Sequence, residues 1–229
     1  MATPTSVANG SGSGAATTSG TITSVSVSVG DVVVVRIAET DGNQRTVTVT
    51  DDLGNTWTPR QSAANSRKAF IITSNITVAG TMTVTTTWNL SATWVSRVDV
   101  IRDADGGTAY DTSDQFTQTA SSCFAAPSTA IDTAANVIVL AAYSCSTTRT
   151  WTPGGSYSTD ASGGGYVFQS LSSAGALTDE RAPATQSSTA LASAACVVSI
   201  GGSAGATAGA ILIGGKLEGR GILGGRLAL

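Results

Sequence analysis

The side chains most often used in catalysis are scarce in this chain of 229 residues. It contains no histidine, which excludes Ser-His-Asp and Cys-His catalytic sites and the common histidine-containing zinc sites. Its three cysteines, Cys123, Cys145 and Cys196, form no CxxC pair and are too few for a disulfide framework. Because unpaired cysteine is commonly buried as a small apolar side chain, we expect the three thiols to contribute to packing.

Acidic residues offer no clearer catalytic pattern. Asp51 and Asp52 are adjacent, as are Asp179 and Glu180, whereas a glycosidase needs two carboxylates that converge on a sugar from opposite sides. The run at 103–107, DADGG, begins like a calcium loop but lacks the ligand spacing of an EF-hand further on. We therefore predict turns at these positions, no cofactor or metal site, and no enzymatic activity.

Two pairs of tryptophans are candidates for different roles. Trp57 and Trp151 occur in similar contexts, TWTPR and RTWTPGG, which indicates a repeated role in capping the core. Trp88 and Trp94 flank the segment NLSAT, whose composition predicts a loop. They either belong to the core or form a flat platform at the rim of a β-sandwich, on which a sugar ring could stack.

The composition favours a β-protein and gives no sign of a nucleic-acid or membrane partner. Charged residues make up 12% of the chain, while Ser, Thr, Gly, Ala and Val are abundant, which is typical of strands whose exposed face carries hydroxyl groups. A formal net charge of −3 offers nothing to attract nucleic acid or an anionic membrane. The first residues lack the pattern of a signal peptide, so we expect synthesis and assembly in the cytoplasm.

The elements that would position these residues are strands, and the clearest stretch spans residues 30–57. Residues 32–35 form a continuous apolar run, as in a strand buried on both faces, and residues 46–50 alternate Thr and Val, as in a half-buried strand. The TDGN sequence at 40–43 predicts a hairpin between them, and therefore a first sheet arranged as a meander. Further strands are predicted at 22–29, 68–73, 81–88 and 94–102.

The second part of the chain repeats this order in fewer residues. Residues 136–141, NVIVLA, echo the apolar run, and strand patterns follow at 165–171 and 188–200. Two similar β-rich halves that cannot each bury a face alone are expected to pack against each other. The sequence therefore predicts an all-β fold, a two-sheet antiparallel β-sandwich of jelly-roll-like form with internal pseudo-duplication.

The domain boundaries follow from composition. The first residues carry no charge and are mostly Ala, Thr, Ser and Gly, which is typical of a flexible arm. The predicted organisation is a flexible N-terminal arm at 1–20, a β-sandwich domain at 21–203 with halves at about 21–107 and 108–203, and a Gly/Leu-rich C-terminal docking tail at 204–229.

The segment 210–229, AILIGGKLEGRGILGGRLAL, is too rich in glycine for a stable helix, and so apolar a segment is an aggregation hazard unless something covers it. Three basic side chains against one acidic give it a net charge of +2, which leaves −5 for the rest of the −3 chain. It either docks on a partner, where its arginines meet carboxylates, or returns as the last strand of its own sandwich. The predicted protein-interface residues are Ile211, Leu212, Ile213, Lys216, Leu217, Arg220, Ile222, Leu223, Arg226 and Leu227.

Three landmarks within residues 22–200 resemble a known family. The strand GDVVVV, the turn region VTVTDDLGNTWT and the second strand ANVIVLAAY are similar to a β-sandwich domain found in structural proteins of tailed bacteriophages and in some bacterial surface proteins. The glycine-punctuated tail resembles the extensions that phage head proteins lay across neighbouring subunits. The resemblance implies a capsid cement or decoration protein whose landmarks serve folding and carry no catalytic motif.

A protein of this kind is expected in the virion, on the outer surface of the capsid, where it stabilises the shell by linking neighbouring capsid subunits. The partners that the resemblance implies are the major capsid protein and further copies of the chain itself, in homotrimers. The alternative is a head-fibre or tail-associated recognition module that binds host surface glycans, with Trp88 and Trp94 as its sugar platform.

Overall fold

The structure of the chain is a computed structural model. It describes residues 2–42, 45–64, 67–104, 110–118, 124–125, 133, 135–145, 149–187 and 193–202. Within these ranges every regular element is a β-strand and no helix occurs. The prediction of an all-β, antiparallel, sandwich-like fold is therefore confirmed.

Fourteen strands occur in the described residues. The first half of the chain contains β1 (Thr5–Val27), β2 (Val32–Glu39), β3 (Val47–Asp51), β4 (Trp57–Ala64), β5 (Lys68–Asn75) and β6 (Gly80–Arg102). The second half contains β7 (Tyr110–Gln118), β8 (Phe124–Ala125), β9 (Val137–Ser144), β10 (Trp151–Pro153), β11 (Ser158–Gly163), β12 (Tyr166–Ser173), β13 (Ala184–Gln186) and β14 (Ser193–Gly201).

These strands form two large sheets and a small one. The first large sheet has the order β1-β6-β2-β5-β4, with β3 paired to β6 outside this path. The second large sheet has the order β11-β12-β9-β14-β7, and the small sheet has the order β10-β13-β8. Neighbouring strands are antiparallel throughout.

β1 and β6 are long because each belongs to two layers. Residues 94–102 of β6 pair with β2 and with the beginning of β1, whereas residues 80–88 pair with β3 and with the end of β1. The pairing of β1 with β6 shifts register on both sides of Thr17, where the two strands pass from one layer to the other. The segment NLSAT, which we predicted as a loop, therefore lies inside β6.

The predicted hairpin at 40–43 is wrong, because β2 and β3 do not pair with each other. β2 pairs with β5 and with the downstream part of β6, and β3 pairs with the upstream part of β6. β6 is long enough for β2 and β3 to pair with different parts of it. The chain that leaves β2 therefore pairs again as β3 with the upstream part of β6. The first sheet is consequently not a meander.

The two large sheets pack face to face through one buried cluster. Its members include Val32, Val34, Ala38, Ala69, Ile71 and Ile101 from the first sheet and Ile138, Leu140, Phe168, Cys196, Val198 and Ile200 from the second. β2 and β9 are buried along their whole lengths. Because both of their faces are covered, their sequences are continuous apolar runs and do not alternate.

A smaller β layer covers the outer face of each large sheet. On the first, Val33, Val35 and Phe70 pack against Val25, Val49, Met82 and Trp88 from β3 and the folded-over parts of β1 and β6. On the second, Val139, Tyr143 and Val197 pack against Trp151 and Ala184 of the small sheet. The described strands thus form a stack of four β layers, in which the predicted two-sheet sandwich is the middle pair.

The two large sheets share one strand order. When the five strands of each sheet are ranked along the chain, both sheets read first, fifth, second, fourth, third across the sheet. The covering layers agree as well, since β3, the start of β6 and the end of β1 take the places of β10, β13 and β8. This equality is what an internal duplication would produce, and a common origin of the halves stays a prediction.

The first twenty residues do not behave as the composition suggested. Residues 5–20 belong to β1 and are paired with β6, although the sequence predicted a flexible arm there. Small polar residues resemble a linker in composition, but on an edge strand with one wet face the main-chain hydrogen bonds to the neighbouring strand supply the order. The other predicted boundaries, at 21–203 and 204–229, stay predictions.

Candidate functional site

The predicted docking tail lies outside the described residues. This holds for every predicted interface residue: Ile211, Leu212, Ile213, Lys216, Leu217, Arg220, Ile222, Leu223, Arg226 and Leu227. The structure does describe Gly202, the last residue before residues 203–229. Gly202 is therefore the described residue nearest to the predicted tail along the chain.

Gly202 is fixed to the body by its main chain. It forms a β-bridge with Ala104, and its N–H donates to the carbonyl oxygen of Asn136 at 2.7 Å. The Thr3 hydroxyl donates to the Asn136 side chain at 3.1 Å, and a Cβ on Gly202 would collide with the carbonyl oxygen of Ala2. Gly202 therefore lies beside the N-terminal residues, at a point where only glycine fits.

A cleft of about 500 Å³ opens on the second half of the chain. Residues 155–157 line one side, and the end of β12 with the connection from β12 to β13 lines the other. The apolar part of its lining comes from Tyr157, Leu171, Leu177 and Pro183. Such a mixture of apolar side chains and a few polar groups is typical of a binding site.

The charged part of the cleft is acidic overall. Asp179, Glu180 and Arg181 line it, and the Arg181 guanidinium lies 3.0 Å from an Asp179 carboxylate oxygen in a pair exposed to solvent. Burial, with a smaller effect from the Glu180 carboxylate, raises the pKa of Tyr157, so that its hydroxyl stays protonated and uncharged. The three charged side chains leave the cleft with a net charge of −1.

The connection at 174–183 is held from below by buried side chains. The Tyr143 hydroxyl donates to the carbonyl oxygen of Ala182, and the Gln169 amide donates to the same oxygen at 2.8 Å. Oε1 of Glu180 accepts the main-chain N–H groups of the next two residues at 2.9 and 2.8 Å. This wall of the cleft is therefore fixed before any ligand arrives.

The same wall contains strained backbone. Asp179 has φ of 53° and Ala182 has φ of 46°, in the left-handed region that residues other than glycine seldom occupy. Aspartate tolerates this conformation better than alanine, which lacks a side chain able to bond locally. Strain of this kind persists where the surroundings impose it, and it is concentrated at ligand-binding sites. We therefore regard the cleft as the candidate binding surface of the body.

No sequence pattern predicted this cleft. The adjacent acids Asp179 and Glu180 predicted only a solvated turn, and no pattern singled out Leu171 or Leu177. The available signal was the connection itself, since residues 174–183 join β12 to β13 without a strand, and binding residues are often on such loops. The cleft forms only when this connection folds back onto residues 155–157, which no local pattern reveals.

The proposed sugar platform is wrong. Trp88 is 3% exposed and Trp94 is 1% exposed, and their rings pack against each other with centroids 6.3 Å apart. The Phe70 ring contacts Trp88 edge-on at 5.8 Å. Because β6 bends at the segment between them, both tryptophans face the layer interface and no ring face remains for a sugar.

Trp57 and Trp151 do not occupy equivalent places. Trp57 begins β4, an edge strand of the first large sheet, and its indole N–H donates to Asp51 at 2.6 Å. Trp151 begins β10 in the small sheet and packs on Tyr143, with ring centroids 4.9 Å apart. Both contact a hydrophobic cluster. The similar TWTP sequences nevertheless belong to different kinds of strand, one in a large sheet and the other in the small covering sheet.

A group of four charged side chains lies between the large sheets, two of them fully buried, and no local sequence pattern indicates it. The Arg36 side chain, 0% exposed, pairs with Asp99 at 2.5 Å and with Asp160 at 2.8 Å, and it donates to the Gln169 carbonyl oxygen at 2.9 Å. Arg97 pairs with the other oxygen of Asp99 at 2.7 Å. Each guanidinium thus has a carboxylate partner, and the group joins the two sheets.

A second charged group lies at the end of β2. The Glu39 side chain is 0% exposed and pairs with Arg45 at 3.1 Å, while Lys68 donates to the Arg45 carbonyl oxygen. Burial and the neighbouring Asp41 raise the pKa of Glu39 to about 7, although Arg45 and Lys68 act in the opposite direction. The Ser144 hydroxyl donates to the Glu39 carbonyl oxygen at 2.5 Å, which ties β9 to β2 here.

The described thiols are buried, as predicted. Cys145 and Cys196 are 0% exposed, and burial raises the pKa of Cys145 to about 11, which keeps the thiol protonated near neutral pH. Cys123 lies outside the described residues. In the described part of the chain, no group of three or more His, Cys, Asp or Glu side chains could hold a metal ion. That part also contains no helix that is long and apolar enough to span a membrane.

Comparison with known proteins gives no match. No family model, no curated protein and no solved structure corresponds to this chain. Its function has to be inferred from its own residues and geometry.

Proposed function

We propose that this protein is a structural virion protein of a tailed bacteriophage. It binds the outer surface of the capsid and stabilises the shell by linking neighbouring capsid subunits, and it is not an enzyme. Its partners are the major capsid protein and further copies of itself, in a homotrimer. The resemblance of its strand and turn landmarks to phage structural domains supports this proposal, as does the composition of its tail.

The observation that carries the proposal is the attachment of the tail. An apolar, basic segment of 27 residues follows Gly202, which the bridge to Ala104 and the bond to Asn136 fix to a rigid stack of sheets. Extended at about 3.3 Å per residue, such a segment spans roughly 90 Å, enough to reach a neighbouring subunit. A folded body that carries a long, apolar extension suits a protein that links neighbouring subunits.

The proposed mechanism sums several weak contacts between tails and capsid subunits. Each tail would bury leucine and isoleucine side chains on a capsid subunit and place its arginines against carboxylates. A single contact of this kind is weak, but copies joined in a trimer bind with an effective concentration of about 1 mM for the second and third contacts. The shell then gains resistance to internal pressure without any one strong interface.

Co-sedimentation with purified capsids tests this proposal. We expect the full chain to pellet with capsids and a variant that lacks residues 203–229 to stay in the supernatant. Circular dichroism and thermal melting of the shortened variant provide the control, because they reveal whether the sheets remain folded. Undiminished capsid binding by a folded, shortened chain would contradict the proposal.

The alternative function is that of a glycan-recognition module. Its predicted sugar platform is not available, because Trp88 and Trp94 are buried. It is tested separately by titrating the full chain with cell-wall glycans. Saturable binding to glycans, together with no binding to capsids, would favour this alternative over the capsid proposal.

A further inference from the structure

The root of the tail lies next to the cleft. The Gly202 N–H donates to the Asn136 carbonyl oxygen, and the Asn136 N–H donates to the Ala174 carbonyl oxygen at 3.2 Å. Ser173, the residue before Ala174, lines the cleft. Two hydrogen bonds therefore separate the start of the tail from the rim of the cleft.

The linker is long enough to reach the cleft. Residues 203–209, SAGATAG, precede the first large apolar side chains of the tail. A flexible chain of this composition has a root-mean-square span of about 15 Å over seven residues. The apolar side chains at 211–213 can therefore reach the rim without any rearrangement of the body.

The tail and the cleft are chemically complementary. Residues 210–216, AILIGGK, present three consecutive large aliphatic side chains, followed by two glycines and the basic Lys216. The cleft offers an apolar lining that includes Leu171 and Leu177, and an acidic rim that includes Asp179. Aliphatic side chains would fill the lining while Lys216 meets the rim, and the glycines let the segment follow an irregular groove.

We propose that the cleft binds residues 210–216 of the same chain while the protein is not assembled on a capsid. This inference rests on the proposed function, because the bound segment is part of the tail that would dock on the capsid. The cleft keeps the aliphatic side chains out of water in the free protein, where they would otherwise promote aggregation. Binding to the capsid then requires release of the tail.

Weak binding is sufficient for this arrangement. At an effective concentration of about 1 mM, a segment with an intrinsic Kd of about 0.1 mM is roughly nine-tenths bound. Binding in the cleft therefore keeps the tail from aggregating, and a capsid that presents many binding sites can still displace it.

A disulfide experiment on the full chain tests the inference. In a Cys123→Ser background, Ser172→Cys is combined with Gly214→Cys, and the protein is oxidised with oxidised glutathione. We expect an intramolecular disulfide, seen as a faster band on a non-reducing gel and as a linked peptide pair by mass spectrometry. The matched control combines Gly214→Cys with Thr48→Cys, an exposed position on β3, and should give no such link.

Two results of this experiment would overturn the inference. Linked dimers in place of linked monomers would show that the cleft takes the tail of another copy, and the absence of any link above that of the control would show that it takes no tail. Capsid co-sedimentation is independent of both results. A chain that binds capsids through its tail but forms no internal link would refute this inference and leave the proposed function intact.

Limited proteolysis gives a second measurement that needs no introduced cysteine. If the segment is nine-tenths bound, Leu177→Ser should accelerate trypsin cleavage after Lys216 by about tenfold relative to the unaltered chain. Leu90→Ser is the matched control, because Leu90 is an exposed leucine that does not line the cleft. Equal cleavage rates in the three proteins would also overturn the inference.

Discussion

At the scale of single residues, Arg36 connects the two halves of the molecule. It lies on β2, yet it donates to the Gln169 carbonyl oxygen and pairs with Asp160, both in the second half. Sequence patterning could not predict this, because an arginine inside an apolar run has no local signature of its partner. Asp99 also falls on an alternating strand where a solvent-facing position was equally plausible.

Removing the Arg36 guanidinium should strongly destabilise the fold. Arg36→Met leaves Asp99 and Asp160 with fewer partners in a buried place, and we expect a loss of about 3–5 kcal/mol in the free energy of unfolding. Urea denaturation followed by tryptophan fluorescence measures it. Arg181→Met, which removes an exposed pair with Asp179, is the control and should change stability by about 1 kcal/mol or less.

The double variant Arg36→Met, Asp99→Leu separates two explanations of that loss. If the cost comes from an unpaired buried charge, removal of both partners should restore part of the stability. A double variant that is less stable than Arg36→Met alone would contradict this account and would indicate that packing around Arg36 dominates.

Glu39 should make stability depend on pH. Its pKa is raised from 4.5 to about 7 in the folded protein, so folding favours the protonated form. The stabilising effect is complete below about pH 4.5 and is lost as the pH rises through 7, by at most about 3 kcal/mol. Urea denaturation at pH 5 and pH 8 should therefore show a decrease that Glu39→Gln abolishes. Asp52→Asn, at an exposed carboxylate, should leave the decrease unchanged.

At the scale of elements, glycines in β1 allow the strand to bend around Trp94. A Cβ on Gly14 would lie 2.7 Å from the indole nitrogen of Trp94, and a Cβ on Gly20 would collide with the same ring. The indole N–H donates to the Thr17 hydroxyl at 3.2 Å, between the two glycines along the strand. The bend of β1 and β6 is thus packed around one tryptophan.

Gly20→Ala should therefore destabilise the fold. The added methyl group must displace a fully buried ring, and we expect a loss of about 1–3 kcal/mol. Thermal melting measures the effect. Gly175→Ala is the matched control, because the atom nearest to its added Cβ would be 3.9 Å away, and it should be almost neutral. Equal stability of the two variants would show that Trp94 is not held against β1 as described.

Elements with a clear apolar pattern of their own were predictable from the sequence, and their connections were not. The apolar runs that became β2 and β9 were recognised because burial on both faces leaves a continuous pattern. The strand at 5–20 was not predicted because main-chain hydrogen bonds to β6 hold it in place, and side-chain composition contributes little to such bonds. The cleft was missed for a related reason, since its walls are far apart along the chain and meet only after the sheets form.

At the scale of the whole molecule, the two halves depend on each other. Each half carries one large sheet and its outer covering layer, and in the described residues the inner face of each large sheet packs against the other half. The strand order is the same in both, and within each large sheet every strand pairs with strands of its own half. What neither half can do alone is cover its inner face.

A fragment of residues 1–104 should therefore fail to form a stable monomer. It would expose Val34, Ile71 and Ile101 to water, and it would leave Arg36 without Asp160. We expect aggregation or self-association by size-exclusion chromatography, and recovery of a soluble heterodimer when residues 105–229 are co-expressed. The full chain is the control for native size. A soluble, cooperatively melting monomer of 1–104 would contradict this dependence, because such a fragment would have to hide its inner face without the second half.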